Sequence, residues 1–298
     1  MHHWMAQPTR RLATLVVGVA LASCVIGIGN ELVQDDVPIL TEDARIVDVA
    51  SWPGYFMEPY WPAPYAADQY RPLTSVVLSA QYIAGAGSPV VVRIVSYALY
   101  AVLSVLVFAL ARRAIPEHSG GAAVAAVLFA AHPVHVEATA LGVGQAELLV
   151  AIFTVVAVHR YLSRRLAAAL TPRDWLVLCG SYAAAALSKE QGFLLPLFLV
   201  AAELLLLQGA WVQRGRALWR GYAALAGVGA ALVVVRLLVL GGAAPQNVAE
   251  ALQSRGFAER VLTALQLVPE WIRLLTWPSH LRLDYSPREF VASSGFGP

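Results

Sequence analysis

Residues 12–36 read LATLVVGVALASCVIGIGNELVQDD, an apolar run that closes at Asn30 and gives way to three carboxylates, Glu31, Asp35 and Asp36. A helix rises 1.5 Å per residue, so about 20 apolar residues cross the roughly 30 Å hydrocarbon core of a bilayer. The run has that scale. Arg10 and Arg11 precede it, as they would in a secretory leader. Its apolar part is nevertheless longer than a usual leader core and further runs follow, so it reads as a retained first span.

Seven more stretches extend the pattern: Pro89 to Ala111, Ala122 to Ala131, Glu147 to Leu162, Trp175 to Leu187, Gly192 to Gly209, Tyr222 to Leu240, and a more polar one from Val261 to Trp277 that contains Glu270 and Arg273. The composition agrees. The 298 residues are 58% hydrophobic and 13% charged, with a mean hydropathy of +0.63. An ordinary soluble domain carries about 25% charge and would need it for its surface. The expected fold class is therefore all-α and polytopic, with residues 1–298 forming one membrane domain: a first span at 12–29, an external loop at 30–88, further spans over 89–240, and an amphipathic or membrane helix at 261–277. A net charge of +2, dispersed between apolar runs, excludes nucleic-acid binding. Cys24 and Cys179 both lie inside apolar runs, which excludes a disulfide framework or a cysteine metal cluster.

Arginine-rich segments resist translocation and fix how a chain is threaded. Arg10 and Arg11, then Arg112 and Arg113, then Arg160, Arg164, Arg165 and Arg173, then Arg214, Arg216 and Arg220 all fall on one side if every run crosses. The 30–88 loop is then external. It is acidic, with Glu31, Asp35, Asp36, Glu42, Asp43, Asp48, Glu58 and Asp68 against Arg45 and Arg71, and it is rich in Trp and Tyr, which settle at membrane interfaces. Pro53, Pro59, Pro62 and Pro64 forbid one continuous helix there, so short interfacial helices separated by extended pieces are expected.

Asp35 and Asp36 are the sharpest local feature. Adjacent carboxylates disfavour joint ionisation, which equips one of them to accept a proton, and such a pair can also hold a divalent cation. The plainer reading is a solvated pair beyond a helix end. His132, His135 and Glu137, with Gln145 and Glu147 after them, interrupt an apolar region on the same side, where ionisable groups are expensive and point to function. Pro133 between the histidines argues against one smooth metal-binding face, and a packing or phosphate-facing role fits them better. Lys189, the only lysine of the chain, lies beside Glu190 between two runs and suits a lipid phosphate; it could equally pair with Glu190 or reach for the interface. Arg71 could grip a phosphate through two parallel hydrogen bonds or pair with Asp68.

Together these segments resemble a known family. Asp35-Asp36 after a first span, YRPL at 70–73, HPVHVEA at 132–138, GQAELL at 144–149, SKEQG at 188–192 and LRLDYS at 281–286 stand in the order found in the transmembrane-and-tetratricopeptide-repeat O-mannosyltransferases and their bacterial-type relatives. The resemblance implies a glycosyltransferase C-like helical bundle and a polyprenyl-phosphate sugar as donor. It implies a protein or glycan hydroxyl as acceptor, and Asp35 and Asp36 as base or metal-positioning pair. It also assigns His132, His135, Glu137, Glu147, Lys189 and Glu190 to the family's polar motifs. A divalent metal ion is compatible with it, and no other cofactor is implied. The expected location is a bacterial inner membrane with the site facing the periplasm or exterior, among membrane lipid. The family usually has Arg where this chain has Gln145, and His, Asn and His where it has Arg93, Ser96 and Tyr100, which puts donor and acceptor identity in question. Family members continue into further spans and tetratricopeptide repeats, whereas this sequence stops at Pro298, as a fragment or degenerate copy would. The expected chemistry is inverting transfer of a mannose-like hexose, with Arg71 and Lys189 steadying the leaving lipid phosphate. The competing expectations are a transporter or channel, in which the same polar groups line a path, and an inactive truncated scaffold.

Overall fold

The computed structural model describes residues 7–65, 68–167, 169–207, 211–242, 252, 255–279 and 281. The chain is an all-α integral membrane protein, with no strand among the described residues. Its helices are α1 (Gln7–Cys24), α2 (Pro72–Ala84), α3 (Pro89–Ala114), α4 (Ser119–Ala131), α5 (Val136–Ala140), α6 (Gln145–Ala167), α7 (Pro172–Ser188), α8 (Leu195–Leu205), α9 (Trp211–Leu240), α10 (Phe257–Gln266) and α11 (Val268–Thr276). Four segments of the described residues are long and apolar enough to cross a bilayer: Thr9–Gly29, Pro89–Ala114, Gln145–Ala167 and Gly215–Leu240. The broken pair formed by α4 and the segment Pro133–Ala140 would make a fifth. Helices α7 and α8 are shorter, at 17 and 11 residues.

The described residues cluster into two compact units, Met1–Ala131 with Ala138–Ala243, and His132–Glu137 with Ala244–Pro298. In the first, α1 packs on α3 and α4, α3 on α6, and α6 on α7 and α8. Small residues allow the closest contacts. Ala122, Ala126 and Ala130 recur every fourth residue along α4 and are fully buried against Val16, Ala20, Tyr100 and Phe108. Between membrane helices such close backbone approach replaces the missing hydrophobic drive with van der Waals contact. A second core joins α6 to α9 through Tyr161, Leu178, Tyr182, Leu195, Leu199 and Leu225. Gly221 fits beneath Trp175, whose ring a Cβ would meet at 2.0 Å. Large apolar residues that remain exposed, such as Ile26, Leu205 and Leu238, face what would be lipid.

The acidic loop is folded. Its start is built from short turns, Val37–Thr41, Ala44–Val47, Val49–Ser51 and Gly54–Phe56, followed by the 13-residue α2, which begins at Pro72, where proline fits a first helical turn. Ile39, Leu40, Ile46 and Tyr60 pack with Leu78 of α2 and Val92 of α3 into a third core. Arg45 fastens the loop. Its guanidinium pairs with Asp43 and Glu58 and donates to the carbonyls of Pro59 and Tyr60. Ser79 on α2 donates to the Ile46 carbonyl and accepts from the Trp52 indole.

In the second unit, α10 and α11 are strongly amphipathic, and the large residues they expose include Phe257, Val261, Leu265, Trp271, Ile272 and Leu275. Arg255 pairs with Glu259 and Arg273 with Glu270. The LRLDYS segment beyond Leu281, including Asp284, lies outside the described residues.

Candidate active site

The two adjacent aspartates occupy different surroundings. Asp36 is fully buried and Asp35 is exposed. Each oxygen of Asp36 accepts a backbone N–H at 2.9 Å, Oδ2 from Gly142 and Oδ1 from Val143, and the Arg93 guanidinium stands 3.7 Å away. Gly142 makes this approach possible, because a Cβ there would lie 2.8 Å from Val92, 2.9 Å from Leu40 and 3.2 Å from Asp36. Burial pushes the Asp36 carboxyl above its ordinary value. The Gly142 and Val143 donors and Arg93 pull it the other way, and Asp35 adds to the rise. Gln34, just ahead of the pair, has φ +52°, in the left-handed region that side chains other than glycine seldom adopt.

Arg93 is itself buried on α3, where its fork donates to the carbonyls of Ala140 and Glu31. One helical turn further, Ser96 meets Gln145, which is fully buried and exchanges two amide hydrogen bonds with Gln81 of α2, at 2.7 and 2.9 Å. Arg93, Ser96 and Gln145, the departures noted in the sequence, are thus all buried; Ser96 bonds Gln145, and Arg93 alone of the three reaches Asp36. The sequence shows each departure singly and gives no sign of their adjacency.

Arg71, immediately before α2, binds Glu190 and not Asp68; Nε and Nη2 donate to Oε2 at 3.0 and 2.8 Å. Lys189 pairs with Glu147 of α6 and not with its neighbour Glu190. A residue the sequence reading passed over completes this group. Arg236 of α9 donates to Glu190 Oε1 at 3.1 Å and to the Asp68 carbonyl at 3.0 Å. A lone charge in the run VVVRLLVL was the available signal. Burial works to raise the Glu190 carboxyl, but Arg71 and Arg236 outweigh it and hold the group below its ordinary value. Arg71 also lies over the Tyr60 ring at 5.3 Å, and burial raises the Tyr60 phenol against the pull of Arg71.

Of the sequence-derived site residues, Asp35, Asp36, Arg71, Glu147, Lys189 and Glu190 belong to the first unit. His132, His135 and Glu137 belong to the second. There His132 Nδ1 accepts the Val134 N–H at 3.2 Å, its Nε2 lies 3.2 Å from the Leu275 carbonyl, the two imidazoles meet edge to face at 6.1 Å, and Glu137 is exposed in the first turn of α5. No group of three or more His, Cys, Asp or Glu side chains gathers around a common point among the described residues. Asp36 spends both oxygens on backbone donors, so the aspartates do not form a ready-made seat for a metal ion.

One turn along α6 from Glu147, an apolar groove of about 610 Å³ opens between α6 and α8, lined by Val150, Thr154, Val158, Leu194, Phe198 and Leu205 among others, with Gln191 at its polar end.

Sequence comparison gives this geometry a context. The chain is 29% identical over 161 residues to the human protein O-mannosyl-transferase TMTC3, covering 53% of this chain and 17% of that protein. It is 28% identical over 272 residues to Drosophila melanogaster protein O-mannosyl-transferase Tmtc2, covering 87% of this chain and 28% of that protein. Over 120 residues it is 38% identical to the same organism's protein O-mannosyl-transferase Tmtc1, covering 40% of this chain and 13% of that protein. The chain therefore spans less than a third of the length of each of these relatives. No protein-family model and no solved structure matches it.

Proposed function

We propose that this chain is a membrane domain of the transmembrane-and-tetratricopeptide-repeat O-mannosyltransferase type, with a glycosyltransferase C-like bundle. It moves a mannose-like hexose from a polyprenyl-phosphate lipid to a hydroxyl of a protein or glycan. The site faces the outside of the membrane, the periplasm in a bacterial cell. The observation that carries the proposal is the division of labour between the aspartates: Asp36 is locked by Gly142, Val143 and Arg93, while Asp35 is held beside it and open to solvent. The relatives' names and the arginine-poor, acidic character of the loop support the same reading.

In this mechanism Asp35, as carboxylate, takes the proton of the acceptor hydroxyl. The oxygen bonds to the anomeric carbon from the face opposite the lipid phosphate. The carbon–oxygen bond to phosphate breaks with its electron pair going to phosphate, and the configuration inverts. A group that receives the developing phosphate charge lowers the barrier. Lys189 and Arg71 supply it, and the apolar groove beyond Glu147 receives lipid chain. Asp36 is a positioning residue. Its buried anion fixes the turn that carries Asp35. No step is routed through a metal ion, for which the side chains here do not fit.

The test is transfer from a labelled polyprenyl-phosphate hexose to a peptide acceptor by the full chain in detergent. A general base contributes about 10²- to 10⁴-fold, and Asp35→Asn should lose that much kcat while its melting temperature stays near wild type. Asp36→Asn should lose both activity and melting temperature. Equal rates for Asp35→Asn and wild type would end the assignment.

A further inference from the structure

Glu190 has an unusual setting for a partly exposed carboxylate, since each of its oxygens has its own arginine. Oε2 takes two donors from Arg71, and Oε1 takes one from Arg236. Two guanidinium groups facing separate oxygens of a single anion reproduce the way arginine forks hold phosphate. The cluster carries two positive charges and one negative, a net excess of one.

Three further facts argue that this is more than a structural ion pair. Arg236 sits inside the span Gly215–Leu240 among valines and leucines, where a charge is expensive, and its partners are one carboxylate at 30% side-chain exposure and the Asp68 carbonyl. The Tyr60 ring lies beneath Arg71, and its buried hydroxyl has no hydrogen-bond partner among the described residues. A buried hydroxyl left without a partner is costly, and groups in that state in native structures call for an explanation. Finally, the backbone that carries Glu190 is fixed. Gly192 touches the Ala185 and Ala186 backbone so closely that a Cβ would come within 2.2 Å, and Thr74 of α2 donates to the Ser188 carbonyl at 2.8 Å. The turn that carries Glu190 is therefore held by contacts other than the ion pairs of its side chain.

We infer that Arg71, Arg236 and the Tyr60 hydroxyl form a seat for a phosphate group, and that Glu190 is a resident counter-anion which an incoming phosphate displaces. Phosphate oxygens take the places of Oε1 and Oε2, Tyr60 donates to a third oxygen, and the released carboxylate turns to solvent. The inference rests on the proposed lipid-phosphate donor and assigns residues to its anionic group. It makes Glu190 a competitor for the ligand, with the opposite sign of effect from a residue that binds it.

The experiment is equilibrium binding of a fluorescent farnesyl phosphate to the full chain in detergent, with farnesol and inorganic phosphate as comparison ligands and melting temperature measured for every variant. Glu190→Gln should bind farnesyl phosphate several-fold more tightly than wild type, and Arg236→Gln about tenfold more weakly, the worth of one charge-assisted hydrogen bond. Arg236→Lys, which keeps the charge without the fork, should fall between. Tyr60→Phe should weaken binding with little change in melting temperature. Inorganic phosphate that competes while farnesol does not assigns the seat to the phosphate; farnesol that competes equally overturns it. Unchanged or weaker binding in Glu190→Gln, in folded protein, also overturns it and makes Glu190 a structural partner. If those variants bind as wild type while Asp35-dependent transfer persists, the seat is wrong and the transferase reading stands. If wild type neither binds farnesyl phosphate nor transfers sugar, both fall.

Discussion

Helix α6 carries ionic groups at both ends, and the two ends are built differently. From Glu147 to Arg165 is about 27 Å along the axis at 1.5 Å per residue. At the far end, Glu203 of α8 is buried and takes two hydrogen bonds from Arg165 and one from Tyr161, whose hydroxyl also meets Tyr222. Asp174, buried in the capping box that opens α7, is paired with Arg160 and Arg164. At that end the carboxylates are enclosed and the arginines reach outward. At the near end Asp35 is exposed, and the Glu147 and Glu190 side chains are 44% and 30% exposed. Enclosed ion networks hold helices together; carboxylates left open within a rigid frame are available for chemistry.

The difference can be broken by mutation. The largest expected effect on stability is at the far end. Glu203→Ala takes the carboxylate from half-buried Arg165 and from buried Tyr161, and removing one member of a buried pair costs about 3–5 kcal/mol, the upper bound for this partly exposed one. A lowered denaturation midpoint with unchanged transfer per folded molecule is the expected result; a loss of kcat in folded protein would erase the distinction between the ends.

Gly142→Ala should be smaller in stability yet larger in function. Overpacking costs about 1–3 kcal/mol, and here the added methyl forces Asp36 from its two N–H donors. Transfer should fall with it, measured beside the melting temperature of Gly180→Ala, a helical glycine with no atom within 4 Å of the added methyl.

The acid limb of the stability curve separates the two ends as well. Glu190 is held below its ordinary value, so the stability it contributes is fully present above the ordinary carboxylate range and is lost as pH falls through the lowered value. Glu190→Gln should flatten part of the drop in melting temperature between about pH 7 and about pH 3. An unaltered profile would show that the two arginines do not stabilise the anion. Least of all, Glu147→Gln should change stability by less than about 1 kcal/mol, as expected for a partly exposed pair.

Much of the architecture was readable from the chain alone, because apolar runs bounded by charge report directly on helices in lipid. The run from Pro89, for instance, continues as helix to Ala114, and the prolines of the acidic loop divide it into short turns. The site was legible only as an inventory. Asp35 and Asp36 look equivalent in sequence, and what separates them is a glycine 106 residues further along and an arginine on another helix. Arg236 is illegible in sequence because a single charge inside an apolar run names no partner. Its partner Glu190 stands out there beside Lys189, which pairs with Glu147 instead.

The clasp on Asp36 also has a consequence for biosynthesis. Its partners Arg93, Gly142 and Val143 are translated well after it, so the nascent Asp36 carboxylate emerges without them. The buried member of the pair is thus secured only when α3 and the turn at Gly142 are in place. A chain halted before Gly142 would leave Asp36 without its two backbone donors, which ties the setting of both aspartates to completion of this unit.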